Sequence, residues 1–241
     1  MMACLYVVAL PIGNLNDVSQ RTIMALKDTN LLLTEDTRSI RRLCRVLPLP
    51  DTLLSYHAGR EMARVPRILS TLGQGKSVAV VSEAGTPGIS DPGQIIVRAV
   101  REAGYPVVPI PGPSALCAAL SVAGFPVLPH LFLGFLPKGP LRRRNLLAGH
   151  QAFRGSIGIF ASPHNVARVA QDLAASLPGR ELLFARELTK MFEETVVMKV
   201  ENLPEWLRQK GKVRGEITLV LSPPARSRGE KDVEAGAPAD G

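Results

Sequence analysis

The sequence predicts an α/β protein built from two α/β domains, the N-terminal one on a mostly parallel, doubly wound sheet and the C-terminal one on a mixed sheet. Three observations carry that prediction. Short, continuous apolar runs alternate with helical periods through the first half, the pattern of strands covered on both faces. The second half supplies five strand candidates with fewer helices between them. The length, 241 residues, leaves room for two domains of ordinary size.

In the first half the strand candidates are LYVVA (5 to 9), LLLT (31 to 34), SVAVV (77 to 81) and PVVPI (106 to 110). Between them, Ile40, Leu43, Cys44 and Leu47 recur at helix spacing, as do Met62, Val65, Leu69 and Leu72, then Ile95, Ile96, Val97 and Val100. PGPSA (111 to 115) joins a rigid turn to a helix start where the two patterns meet, which sets the domains at 1 to 113 and 114 to 221. The later strands are LFLGF (131 to 135), SIGIF (156 to 160), LLFAR (182 to 186), TVVMKV (195 to 200) and EITLVL (216 to 221). One helix there is expected to start with Ser162 as cap and Pro163 in the first turn, its stripe being Val166, Val169, Ala170 and Leu173, and to end near Pro178-Gly179. Residues 222 to 241 are polar, rich in Pro, Gly and Ala, and read as a disordered tail.

Hydrophobic residues make up 46% and charged ones 21%, a folded and not a disordered composition. No apolar run approaches the roughly 20 residues of a membrane span. The N-terminus reads as a first strand ending at Pro11 and not as a signal peptide, and a cytoplasmic protein is expected. Cys4, Cys44 and Cys117 lie far apart without a CxxC pair, so neither a disulfide nor a metal is expected. Lys plus Arg outnumber Asp plus Glu by 29 to 21, a net charge of +8 that favours a polyanionic partner.

Three Gly/Pro-rich loops follow predicted parallel strands: LPIGNLND, SEAGTPGISDPG (82 to 93) and PGPSA. In open α/β sheets ligands bind outside the carboxyl ends of strands, and glycine lets a ligand approach the backbone closely. GxGxxG and GxxxxGK[ST] are both absent, which argues against a dinucleotide fingerprint and a triphosphatase loop. No GxSxG elbow occurs, and Ser114 has no histidine placed to serve it as a base.

Taken with EDTRS (35 to 39), GFLPK (134 to 138), SPH (162 to 164), RELTK (186 to 190) and GEITLV (215 to 220), these loops resemble the tetrapyrrole-methylase superfamily. Within it they resemble the branch that methylates a ribose 2′-hydroxyl of 16S ribosomal RNA. The resemblance implies S-adenosylmethionine held in the cleft between the two domains, a homodimer, and transfer to a cytidine of the small ribosomal subunit. It places cofactor contacts at Leu10, Pro11, Ser82, Glu83, Ala84, Gly85, Thr86, Ile89, Ser90 and Ser114, and from the second domain at Arg186, Glu187, Leu188, Gly215, Glu216 and Ile217. The branch usually carries Asp at Glu83 and Thr at Leu10, and a Glu and an Arg where this chain has Ala161 and Asn165.

A base for the hydroxyl proton has four candidates on matching segments: Glu35, Asp36, Glu187 and Lys190. Each has a structural reading beside it. Glu35 and Asp36 could cap the next helix, and Glu187 with Lys190 could be an ion pair. For RNA phosphates the candidates are Arg38, Arg41, Arg42 and Arg45 on one helix, and Lys138 with Arg142, Arg143 and Arg144. His164 and Trp206 read as structural. A small-molecule methylase and a non-catalytic RNA-binding protein on the same fold are the alternatives.

Overall fold

The computed structural model describes residues 3 to 41, 47 to 57 and 59 to 225. The short apolar runs of the first half become β1 (Leu5–Val8), β2 (Leu31–Thr34), β4 (Val78–Val80) and β5 (Val107–Ile110), joined by β3 (Leu53–Ser55). They pair in the order β3-β2-β4-β1-β5, every neighbouring pair parallel. β2 and β4 are buried along their whole length because helices cover both faces. Alternation divides them between two cores. Leu31, Leu33, Val78 and Val80 meet Ile68 and Leu72 of α3 (Glu61–Gly73) and Ile96 and Val100 of α4 (Gln94–Glu102). On the opposite face, Leu32 and Ala79 meet Ala25 and Leu26 of α1 (Gln20–Lys27) and Ile40 of α2 (Thr37–Arg41).

The order locates a switch point. The connection leaving β1 runs through α1 to β2, whereas that leaving β4 runs through α4, on the other face, across β1 to β5. Adjacent strands with diverging connections leave a crevice at their carboxyl ends, and here those strands are β1 and β4.

The second sheet contains β6 (His130–Phe135), β7 (Ser156–Ala161), β8 (Glu181–Arg186), β9 (Glu194–Lys199) and β10 (Ile217–Leu221) in the order β6-β7-β10-β8-β9. Only β6 and β7 are parallel, so the sheet is mixed. Three helices, α6 (Pro140–Gly149), α7 (Val166–Ser176) and α8 (Leu203–Lys210), cover one face through Leu147, Val169, Leu173, Leu203 and Leu207. α5 (Ala115–Ser121) lies on the other, with Ala119 packed against Leu183, Ala185 and Val220. Arg180, 1% exposed, donates to the carbonyls of Phe153, Gly155 and Ser222 and so ties the segment before β8 to the one before β7 and the one after β10.

Three details differ from the sequence reading. β3 is three half-buried residues, too short to leave a periodic signal. The helix expected from Ser162 starts at Val166, since the Asn165 side chain accepts from the Ser162 amide and the turn through Pro163 stays outside the helix. Asn202 before Pro204 has the sequence form of a helix cap but caps nothing with its side chain, and Trp206 packs edge-on to Phe184 at 4.9 Å with the Lys210 ammonium over its ring. Leu43, Cys44 and the tail beyond residue 225 lie outside the described residues. Among the described residues Cys4 and Cys117 are free thiols, no acid, histidine or cysteine cluster could hold a metal ion, and no helix is long and apolar enough to cross a membrane.

Candidate active site

The loops after β1 and β4 are stitched together across the switch point. Leu10 donates to the Gly85 carbonyl at 2.9 Å and accepts from its amide at 3.0 Å, an antiparallel bridge between segments whose strands run parallel. Gly85 reaches this position with φ +73°, in a region that penalises a Cβ. The Cβ it lacks would stand 3.6 Å from Ile12 and 3.7 Å from the Pro113 carbonyl, so the space beside Gly85 is bounded by the β1, β4 and β5 loops at once.

Ser82 is fully buried, its hydroxyl turned to the carbonyls of Ala84 and Gly85 at 3.1 and 3.3 Å. Glu83, Ile89 and Ser90 are exposed and Ala84 and Thr86 half-buried, so this loop shows its backbone and a few side chains to the crevice. Pro11 is half-buried beside the buried Leu10. Ser114 caps α5, accepting from the Cys117 amide.

Two residues that local pattern does not reveal brace the long loop. The Tyr56 hydroxyl reaches the Val81 carbonyl at 3.1 Å and that of Pro92 at 3.3 Å, holding both ends of the loop. Glu61, the first residue of α3, accepts from the amides of Gly93 and Ile95 and so caps α4 from another helix.

The second domain supplies the facing wall. Beyond β8 the chain turns through Glu187 and Thr189, at φ +51° and +68°. Glu187 Oε1 accepts from Lys190 Nζ and from the Glu216 amide, both at 2.9 Å, and Lys190 also reaches Glu216 Oε2 at 3.0 Å. Gly215 is left without a side chain where a Cβ would overlap the Glu187 carboxyl. Arg186 is held by Glu194 at 3.0 Å and by two carbonyls, Leu188 packs toward α5, and Ile217 is buried as the first residue of β10. The walls touch directly. Asn14 donates from its amide to Thr189 Oγ1 at 3.1 Å, and Gly134 of β6 lies so close to Ser90 that a Cβ would be 2.8 Å from its hydroxyl.

Geometry sorts the four acid–base candidates. Asp36 Oδ1 accepts from the Arg38 amide at 2.7 Å and Oδ2 from the Ser39 hydroxyl, and these bonds hold its carboxyl below the ordinary range. It is a helix cap. Burial works to raise Glu187, but the bonds from Lys190 and the Glu216 amide outweigh it, leaving a lowered carboxyl beside a raised ammonium. Those two are an ion pair. Glu35, half-buried after β2, is instead pushed up, first by burial and then by the charges of Asp91, Glu83 and Glu61. Asp91 is raised, first by burial and then by the charges of Glu83 and Glu216.

The basic residues also divide. Arg38 and Arg41 of α2 are exposed, as are Lys138, Arg142 and Arg144, while Arg42 and Arg45 lie outside the described residues. Arg143 corrects the sequence reading. It is 4% exposed, its guanidinium 2.6 Å from Asp172 and 3.2 Å from the carbonyls of Pro137 and Lys138, because it shares the inward side of α6 with Leu147 one turn on. It is a structural residue and not an RNA contact.

A switch-point crevice in a parallel sheet, faced by the loops of a mixed sheet and free of a triphosphate-binding motif, defines an α/β protein of two sheets with a candidate small-molecule site between them. The chain belongs to the tetrapyrrole (corrin/porphyrin) methylases, whose family model matches residues 4 to 204. Among curated proteins it is 41% identical over 218 residues to ribosomal RNA small subunit methyltransferase I of Leptospira biflexa, 90% of each chain. It is 40% identical over 221 residues to the protein of that name from Thermotoga maritima, 92% of this chain and 99% of that one. Among solved structures it shares its fold with the methyltransferase CobJ, at a TM-score of 0.69 and 22% identity over 94% of this chain and 96% of that one. A Thermus thermophilus uroporphyrin-III C-methyl transferase complexed with S-adenyl homocysteine matches at 0.61 and 19%, over 91% and 97%.

Proposed function

We propose that this chain transfers a methyl group from S-adenosylmethionine to the ribose 2′-hydroxyl of a cytidine in 16S ribosomal RNA. The coarser statement follows from the family: a chain 40–41% identical along nine-tenths of its length to proteins named ribosomal RNA small subunit methyltransferase I is an S-adenosylmethionine-dependent ribosomal RNA methyltransferase. The 2′-oxygen and the cytidine are the finer proposal. A small-molecule methylase on the same fold has support from the family description and from neighbours at 22% identity and below.

The observation that carries the reading is the stitched Leu10–Gly85 pair set opposite the Arg186–Lys190 wall. The residues present fit the cofactor. The hollow beside Gly85 is one a single Cβ would enter, it is bounded by the Ile12 side chain and the Pro113 carbonyl, and the braces from Tyr56 and Glu61 hold its shape. Leu10, Pro11, Ser82 to Thr86, Ile89, Ser90 and Ser114 would hold the group from one side, and Arg186 to Leu188 with Gly215 to Ile217 from the other. When bound, S-adenosylmethionine supplies a methyl group already activated by its sulfonium. What remains for the protein is alignment of the hydroxyl oxygen, exclusion of water and removal of one proton.

Glu35 takes that proton at a carboxylate oxygen. Among the four candidates it alone has neither a cap nor an ion pair to maintain, and an upward-shifted carboxyl is the better base near neutral pH. We place the domain boundary after Pro113, since α5 packs on the second sheet. A homodimer in the cytoplasm is part of the proposal, supported by exposed apolar side chains such as Leu128, Met191 and Phe192.

The test is methyl transfer from labelled S-adenosylmethionine to small ribosomal subunits. Wild-type protein labels 16S RNA, and Glu35→Gln lowers kcat by about 10²–10⁴-fold with cofactor affinity retained. A Glu35→Gln enzyme with full kcat removes Glu35 from the proton transfer. A wild-type chain that labels no ribosomal RNA ends the functional reading.

A further inference from the structure

Beside the second-domain wall lies a groove of about 440 Å³ whose lining shares Gly215 alone with the proposed cofactor contacts. Its floor is apolar, formed by Val166 at the start of α7, Leu207 of α8 and Val213. Its lip carries His164, Lys212 and Arg214, and no acidic residue lines it. That charge distribution is unlike the surroundings. Around the groove, Arg186 and Lys210 are matched to Glu194, Lys190 to Glu187 and Glu216, and Arg208 to Glu205. Among the described residues, the side chains of Lys212 and Arg214 form no ion pair, so their charge is left for something from outside. The groove also shares Gly215 with the wall that faces the proposed reaction centre.

We infer that this groove binds one nucleotide of a single-stranded segment of the RNA substrate, next to the one being methylated, with its base on Val166, Leu207 and Val213 and its phosphate at Lys212 and Arg214. The inference rests on the ribosomal RNA reading above. The volume is far larger than a phosphate needs and falls in the range of small-ligand pockets. An apolar floor under a cationic lip suits a base with its attached phosphate better than it suits a bare anion. A base can reach that floor only if it is splayed out of a helix, which is how proteins read RNA loops and ends. His164, which the sequence singles out within SPH, is thereby given a neighbour-nucleotide role at the lip beside its structural reading.

The experiment uses the full chain with small ribosomal subunits as methyl acceptor and a short single-stranded oligoribonucleotide as binding probe. Two variants separate the parts: Lys212→Ala with Arg214→Ala removes the lip charge, and Ala167→Phe, on the exposed side of α7 lining the groove, fills it. The double variant is expected to flatten the log–log salt dependence of oligonucleotide binding by about 0.7, the share of the one phosphate that the two cations neutralise, and to raise KM for subunits with kcat unchanged. Ala167→Phe is expected to raise KM with the salt slope intact. Both leave the affinity for S-adenosylmethionine unaltered. The groove is refuted if neither variant moves KM or slope, or if cofactor affinity falls in step with RNA affinity. A flattened slope with Ala167→Phe silent overturns the seating of the base. Wild-type protein that neither binds nor methylates RNA fails at the parent reading, whereas active wild type with indifferent variants fails at the groove alone.

Discussion

Gly13→Ala tests whether the two walls must close on one another. Gly13 follows the β1 loop, and its backbone is close enough to the second domain that an added Cβ would stand 2.9 Å from Thr189 Oγ1 and nearer still to Lys190 Cγ. Ordinary contact begins at 3.4 Å, so Thr189 must retreat by about half an ångström and Lys190 by more. Neither can do so freely. Thr189 Oγ1 accepts from the Asn14 amide, and Lys190 is held by two carboxylates. Losing one interdomain hydrogen bond costs about 0.5–1.5 kcal/mol, a modest fall in stability. The larger effect falls on rate, since misplacing reacting groups by on the order of 1 Å costs about 10²-fold. The expected result is kcat down about 100-fold, with an unfolding free energy by urea titration lower by about 1 kcal/mol. Lys190→Ala made in the Gly13→Ala background removes the main obstruction, so the pair should be non-additive. Gly13→Ala with wild-type kcat and additive behaviour would refute the argument that domain apposition at this point aligns the site.

Other outcomes follow from single contacts. Arg143→Ala strands Asp172 with its side chain 14% exposed and should cost about 3–5 kcal/mol, read as a fall in Tm, whereas Arg142→Ala with Arg144→Ala should leave Tm unchanged and flatten the salt dependence of RNA binding. A neutral Arg143→Ala would sink the structural assignment. Gly85→Val forces a β-branched residue to φ +73° and fills the hollow, so calorimetric affinity for S-adenosylmethionine should be lost; unchanged affinity would move the cofactor elsewhere. His130 donates from Nδ1 to Ser156 Oγ, since that hydroxyl is itself spent on the Val127 carbonyl, and its buried Nε2 has no partner among the described residues. Burial therefore lowers its pKa below the ordinary 6.5, so the unfolded chain binds the proton first and stability falls as pH drops through 6.5 toward the folded-state value. Between pH 7 and 5 the urea midpoint should decline more steeply for wild type than for His130→Gln; parallel curves would exclude this histidine.

The parallel sheet was legible because β2 and β4 are buried on both faces and so read as unbroken apolar runs, while β3 has no such run to show. Ser162-Pro163 carried two genuine start signals, but the Asn165 side chain competes for the Ser162 amide and moves the helix three residues on. Arg143 sits between two solvent-facing arginines, and only its one-turn spacing from Leu147 hints that it points inward. The site loops declared themselves through their glycines and prolines. Their braces could not, since Tyr56 and Glu61 act on residues 25 to 36 positions away along the chain. The four acid–base candidates looked alike in sequence because what separates them is the partner each finds in space. Asp36 turns to the α2 amides, Glu187 to Lys190, and Glu35 to neither.

The most direct measurement locates the methyl group. Small ribosomal subunits incubated with the protein and S-adenosylmethionine are stripped of protein, and their 16S RNA is hydrolysed in alkali, where a 2′-O-methylated ribose blocks cleavage at its own 3′ phosphodiester. The account predicts one new alkali-resistant position, at a cytidine, absent without the protein or the cofactor. Labelled RNA that remains fully alkali-sensitive, the methyl group lying on a base, would contradict it.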